Sequence, residues 1–174
     1  WKQYYKPLEI GDRLIVVPEW EETELNGRVP LRLDPGLMFG TGSHATTRMC
    51  LEALQNFELE GKRVLDLGCG SGILGIGALV LGAGSCVGCD IDPKAPDVVM
   101  DNAALNGIGA DRLKVYAGDI IGDATLRRSL GSDYDIVLAN IVSDVIIPLA
   151  PLVRPFMAQG AVFITSGIID GRES

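Results

Sequence analysis

The chain is 174 residues long, with 15 Lys and Arg against 23 Asp and Glu, a formal net charge of −8, and it is 47% hydrophobic and 22% charged. That length and balance describe one globular domain able to bury a core and exclude an intrinsically disordered chain. The negative charge argues against direct nucleic-acid binding, since neutralising phosphates takes clustered Lys and Arg, and favours a basic protein partner.

The longest apolar run, Ile73 to Gly84, is 12 residues and holds four glycines, short of the roughly 20 residues that a membrane-spanning helix needs. No charged-then-apolar leader opens the chain, and a start at Trp1 rather than Met reads as a fragment of something longer. Four cysteines in a chain of this size do not suggest a disulfide framework, so a reducing, cytoplasmic setting is expected.

In chain order, Leu14–Val17 and Val29–Leu33 are β-type runs separated by the acidic Glu19–Glu24 stretch and an Asn26-Gly27 turn signal, and they read as an entry hairpin or a lead-in. Asp34-Pro-Gly36 breaks the chain. Thr46 or Thr47 is positioned to cap a helix through about Phe57, with Met49, Leu51 and Leu54 as its buried stripe. From Lys62 the pattern alternates. Strands are expected at Arg63–Leu67, Ser85–Asp90, Arg112–Ala117, Tyr134–Ala139 and Ala161–Ser166. Helices are expected at Gly72–Leu81, Pro93–Asn106, Ala124–Leu130 and, interrupted, Ser143–Phe156. Strands and helices at this spacing mean βαβ units on a parallel, doubly wound sheet, with any ligand above the carboxyl ends of the strands.

The sharpest motif is Val64-Leu-Asp-Leu-Gly-Cys-Gly-Ser-Gly72, a strand running into a glycine loop and then a helix. Its glycines, Gly68, Gly70 and Gly72, are spaced G-x-G-x-G. The dinucleotide fingerprint needs its third glycine where Ile73 stands. Asp66, just before the loop, would repel a pyrophosphate and suits a ligand carrying a positive amino group. Asp90, at the end of the second of these strands, can accept both hydroxyls of a ribose. Gly118-Asp119-Ile120 puts an acceptor and an apolar side chain where an adenine would lie, and Asn140 ends the fourth strand.

These residues resemble the class I S-adenosylmethionine-dependent methyltransferases. Further segments narrow the likeness to the ribosomal protein L-eleven methyltransferase (PrmA) family. They are Asp34-Pro-Gly-Leu-Met-Phe-Gly-Thr-Gly-Ser-His-Ala-Thr-Thr47, Gly61 to Leu74, Gly88-Cys-Asp-Ile-Asp-Pro93, Asp101 to Gly107 and Leu138-Ala-Asn-Ile141. The resemblance implies a three-layer αβα Rossmann-like sheet lacking its terminal strands. Residues 1–40 would form a lead-in and residues 41–174 the domain that binds S-adenosyl-L-methionine. It implies methyl transfer to lysine and/or N-terminal amines of a ribosomal protein; the alternative is a methyltransferase acting on another protein, a small molecule or RNA, or a non-catalytic cofactor-binding module. By the same resemblance Thr47 holds the methionine end of the cofactor, Gly68 and Gly70 belong to its loop, Asp90 binds the ribose, and Asn140 lines the methyl-transfer site. Asp66 and Asp119 follow from the wider methyltransferase pattern. Ala45 departs from the Pro usual in the family, and the family's N-terminal recruiting domain has no counterpart here.

Other features have plainer readings. Cys86 and Cys89 form a CxxC inside a strand, where an odd separation puts the thiols on opposite faces and prevents a shared metal. His44 is a loop-ordering hydrogen bonder or a proton acceptor near the amine. Asp92 and Asp97 favour a helix N-terminus.

Overall fold

A computed structural model describes residues 6–34 and 44–166, the His44 side chain excepted. Residues 35–43, which hold most of the glycine-rich segment before the first helix, lie outside the described residues, and so does the question of His44.

Three strands open the chain: β1 (Leu8–Ile10), β2 (Leu14–Pro18) and β3 (Val29–Leu33). The expected hairpin between the second and third does not form. β2 pairs with β1 antiparallel and with β3 in parallel, Leu14 facing Val29 and Pro18 facing Leu33. Asn26-Gly27 does make a tight turn, closed by Arg28 N–H on the Leu25 carbonyl at 2.9 Å. That turn lies within a connection returning the chain to the start of β2, so β3 runs alongside β2 rather than back against it.

Helix α1 (His44–Leu54) follows. It begins ahead of Thr46 and Thr47, which therefore lie in its first turn and do not cap it. Cys50, Leu51 and Leu54 are buried, whereas Met49 is 64% exposed. Residues two positions apart in an α-helix lie about 200° apart around its axis, so Met49 and Leu51 cannot share a face.

The remaining chain alternates: β4 (Arg63–Leu67), α2 (Ile73–Val80), β5 (Ser85–Asp90), α3 (Ala95–Ala104), β6 (Leu113–Ala117), α4 (Ala124–Ser129), β7 (Tyr134–Asn140), α5 (Ser143–Val153), a 3-10 turn at Arg154–Phe156 and β8 (Met157–Ser166). The five strands lie in the order β6-β5-β4-β7-β8, all neighbours parallel. β8 starts four residues earlier than its apolar run suggests, and its register against β7 shifts between Tyr134 and Ile136.

Alternation along the strands builds two cores, one on each face of the sheet. Val64, Cys86, Ile136 and Leu138 pack with α1, α2, α3 and the small N-terminal sheet. Leu65, Leu67, Cys89, Val137 and Ala139 pack with residues of α5 and with Leu130, just beyond α4. Cys86 and Cys89 thus fall in different cores, as the strand period requires. The approach of α2 to the sheet depends on Gly75, where a Cβ would stand 2.7 Å from Cys86 Sγ and 3.3 Å from Asp66 Oδ2.

Two amides tie the N-terminal strands to this sheet. Gln55, just past α1, donates Nε2 to the Ile10 carbonyl at 2.8 Å and accepts Arg13 N–H at 2.9 Å. Asn106, just past α3, accepts Arg32 N–H on Oδ1 at 2.8 Å and donates Nδ2 to the Arg32 carbonyl at 2.8 Å and to the Asn102 carbonyl at 3.0 Å. Each such bond contributes about 1 kcal/mol net. Asn106→Ala is therefore expected to lower unfolding stability by about 2 kcal/mol, read as a lower urea midpoint at unchanged slope.

Candidate functional site

Because β6 and β5 continue to one side of β4, while β7 and β8 fill the other, the winding direction reverses at β4. Ligands bind above the carboxyl ends of strands at such a reversal. Four of those ends carry residues singled out by the sequence.

After β4 the chain turns through Gly68, with φ +68, and a Cβ there would stand 2.3 Å from Ile141 Cγ2. Only glycine fits both the left-handed backbone and that approach. The loop is held from several directions. Gly68 N–H and Cys69 N–H donate to the Cys89 carbonyl at 2.8 and 3.1 Å. Gly70 N–H donates to Asp90 Oδ2 at 2.8 Å. From beneath, Asn102, 3% exposed on α3, donates Nδ2 to the Ser71 carbonyl at 2.9 Å. Asp90 Oδ1 accepts Asp92 N–H at 2.9 Å, so the carboxylate is fixed between two backbone donors and keeps lone pairs for a ligand.

A cavity of about 340 Å³ opens beside this carboxylate, within the range of small-molecule sites. Gly68, Asp90, Asp119 and Gly118 line it, together with apolar Ile91, Ile120, Ile141 and Val145. A cleft of about 590 Å³ beside the N-terminal sheet is larger, but it is remote from the strand ends. The Asp119 loop is folded on itself, with Asp119 Oδ1 accepting Ile121 N–H at 3.0 Å. Arg127, in the last turn of α4, grips the same loop by donating Nη1 to the Ile120 and Ile121 carbonyls at 2.9 and 2.6 Å.

Asn140 and Thr47, 93 residues apart, meet next to this cavity, with Asn140 Nδ2 donating to Thr47 Oγ1 at 2.9 Å. Ser166 Oγ–H donates to Asn140 Oδ1. The structure thus brings Gly68, Asp90 and Asp119 together around one cavity, joins Gly70 to them through Asp90, and sets Thr47 and Asn140 beside Ile141.

Asp66 lies elsewhere. It is 2% exposed, on the face of β4 shared by Val64, and its Oδ2 accepts Gly75 N–H at 3.1 Å. Burial pushes its pKa up to about 7, opposed by the Gly75 bond and reinforced by the Asp90 charge. The thiols stay protonated at neutral pH: burial raises Cys50, Cys69 and Cys86, and takes Cys89 to about 11. Among the described residues no cluster of three or more His, Cys, Asp or Glu could hold a metal ion, and no helix is long and apolar enough to cross a membrane.

Asn102, Arg127 and Ser166 were not singled out by the sequence. Asn102 and Asn106 are spaced i, i+4 on one helix face, a signal that their amides serve a common side. Arg127 shows only as a basic residue in a last turn, and Ser166 as the polar end of a strand.

The family model described as ribosomal protein L11 methyltransferase (PrmA) matches residues 1–174. A ribosomal protein L11 methyltransferase of Lachnospira eligens is 48% identical over 177 residues, covering 100% of this chain and 55% of that protein. Its counterpart in Symbiobacterium thermophilum is 42% identical over 174 residues, 99% of this chain and 54% of the relative. The chain spans about half the length of these curated relatives. Among solved structures, a ribosomal protein L11 methylase from Lactobacillus delbrueckii subsp. bulgaricus superposes with a TM-score of 0.79 at 31% identity, over 94% of this chain and 80% of that one. An RNA methyltransferase from Salinibacter ruber, in complex with S-adenosyl-L-homocysteine, shares the fold with a TM-score of 0.55 at 22% identity, over 70% of this chain and 73% of that one.

The buried carboxyl of Asp66 has a pH signature. Its folded pKa of about 7 stands above the ordinary value of 3.8, so between those limits the native state holds the extra proton and stability falls as pH rises. The effect reaches a few kcal/mol at most, at about 1.36 kcal/mol per unit. Urea unfolding from pH 4 to 8 should show Asp66→Asn gaining stability relative to the parent chain as pH rises, then levelling above pH 7; parallel curves would contradict the assignment.

Proposed function

The chain belongs to the ribosomal protein L11 methyltransferase (PrmA) family, and on that premise we propose that it binds S-adenosyl-L-methionine and forms the methyl-transferring part of an enzyme acting on lysine or N-terminal amines of a ribosomal protein. The observation that carries this reading is the convergence, above the strand ends, of an apolar cavity flanked by Asp90 and Asp119 with the Asn140–Thr47 pair beside it. The residues suit this cofactor. Asp90 offers acceptor lone pairs to a ribose diol, and Asp119 with Ile120 suits the edge and face of an adenine. Gly68 allows the ligand against the backbone. Thr47 stands toward the methionine end, and Asp66, buried beneath the loop, holds the start of α2 through Gly75.

The bound cofactor would supply a sulfonium methyl already activated for transfer, leaving the protein chiefly to align the acceptor. The acceptor amine must be neutral to attack. For a lysine with a pKa of about 10.4, deprotonation at pH 7 costs about 4.6 kcal/mol; for an α-amino group near 7.8 it costs about 1 kcal/mol. Apolar walls such as Ile141 disfavour the ammonium and reduce that penalty. The Asn140 amide oxygen accepts an N–H of the amine and aims its lone pair, but it is no general base.

The net charge of −8 suits a basic ribosomal protein better than nucleic acid or an anionic membrane surface. The four cysteines, all free and buried, accord with a cytoplasmic enzyme.

Calorimetric titration with S-adenosyl-L-methionine tests the reading, and binding of a nicotinamide dinucleotide in its place overturns it. Asp90→Asn is expected to weaken cofactor binding about 10- to 100-fold, the worth of charge-assisted hydrogen bonds. In the full-length protein, with radiolabelled cofactor and ribosomal extract, Asn140→Ala should leave cofactor affinity within about threefold and reduce turnover about 100-fold. Full turnover by that variant removes Asn140 from the mechanism.

A further inference from the structure

We propose that Ser166 is a positioning residue that sets which end of the Asn140 amide faces the acceptor amine; the inference rests on the methyl-transfer reading of the site. An amide has two unlike ends, and only one is useful here. With Oδ1 toward the amine, Asn140 accepts an N–H and leaves the amine lone pair free to attack. Turned by 180°, it would present an N–H donor, which would bond to the very lone pair that must reach the methyl group.

Two hydroxyls on different elements engage the two ends of the amide. Thr47 Oγ1 accepts from Asn140 Nδ2 at 2.9 Å, and Ser166 Oγ–H donates to Oδ1. A hydroxyl can donate or accept, so Thr47 alone would tolerate either orientation. Ser166 supplies the complementary contact, a hydroxyl that donates to Oδ1 while Thr47 accepts from Nδ2, so the two ends of the amide are engaged separately. The register of the sheet sets Ser166 directly beside Asn140, and α1 brings Thr47 to the other end of the amide. The amide is thereby held on both sides, with one Oδ1 lone pair and one N–H left unclaimed.

The test uses the full-length protein with radiolabelled S-adenosyl-L-methionine. Ser166→Ala should lower kcat about tenfold, the worth of one lost hydrogen bond, with cofactor affinity unchanged by calorimetry. Ser166→Thr, which keeps the hydroxyl, should restore most of the rate. In an Asn140→Ala background, Ser166→Ala should have no further effect, because the hydroxyl acts through the amide. Wild-type kcat in Ser166→Ala overturns the inference. So does a parallel loss of cofactor affinity and rate that Ser166→Thr fails to rescue, and so does an undiminished effect without Asn140. An inert Ser166→Ala beside a crippled Asn140→Ala defeats this inference alone; full turnover by Asn140→Ala removes Asn140 from the mechanism and this inference with it, whereas a parent protein that neither binds the cofactor nor transfers methyl groups defeats the functional reading.

Discussion

Close backbone approach around the glycine loop is the constraint on which the rest of the molecule depends. At Gly75 the helix after the loop sits against Cys86 and the Asp66 carboxylate, and at Gly68 the loop sits against Ile141, each closer than a Cβ permits. The first contact fixes how α2 lies on the sheet. The second brings the end of β7, and with it Asn140, against the end of β4. Once these distances are set, the Gly70 bond to Asp90 draws β5 into the same cluster, and the cavity is what remains between the strand ends. Interior packing is dense enough that one added methyl group would displace several of these groups together.

The division of labour between the two faces follows from the same arrangement. One core takes the N-terminal strands and three helices, while the other takes the remaining elements. Asp66 points into the first, where water is excluded and its proton is held more tightly, whereas Asp90 reaches the rim and keeps lone pairs available. Two carboxylates on neighbouring strands thus acquire different chemistry from the direction in which each faces.

Much of this was legible in the sequence. The βαβ order showed because apolar strands with period two alternate with glycine-stopped helices, and the strand-end residues Asp90, Asp119 and Asn140 followed from that order. The burial of Asp66 was within reach too, since Val64 shares its face and α2 must cover it. Pairing direction was not legible: Asn26-Gly27 announces a turn but not where the chain goes after it, and β2 and β3 proved parallel. The Asn140–Thr47–Ser166 contact was hidden for a different reason. Its members come from three separate elements, and no local spacing records which helix turn lands on which strand end. Met49 shows the opposite failure, an apolar residue whose angular position on α1 turns it toward solvent.

The side chain of Asn106 has a consequence beyond the helix and strand it joins. By engaging both the N–H and the carbonyl of Arg32, it gives β3 the pair of bonds that a neighbouring strand would otherwise provide there. An open strand edge is a template for pairing with another chain. A single amide blocks that template toward the C-terminal end of β3, so the small sheet ends where it does, and a lead-in of short apolar strands is discouraged from growing onto a second copy.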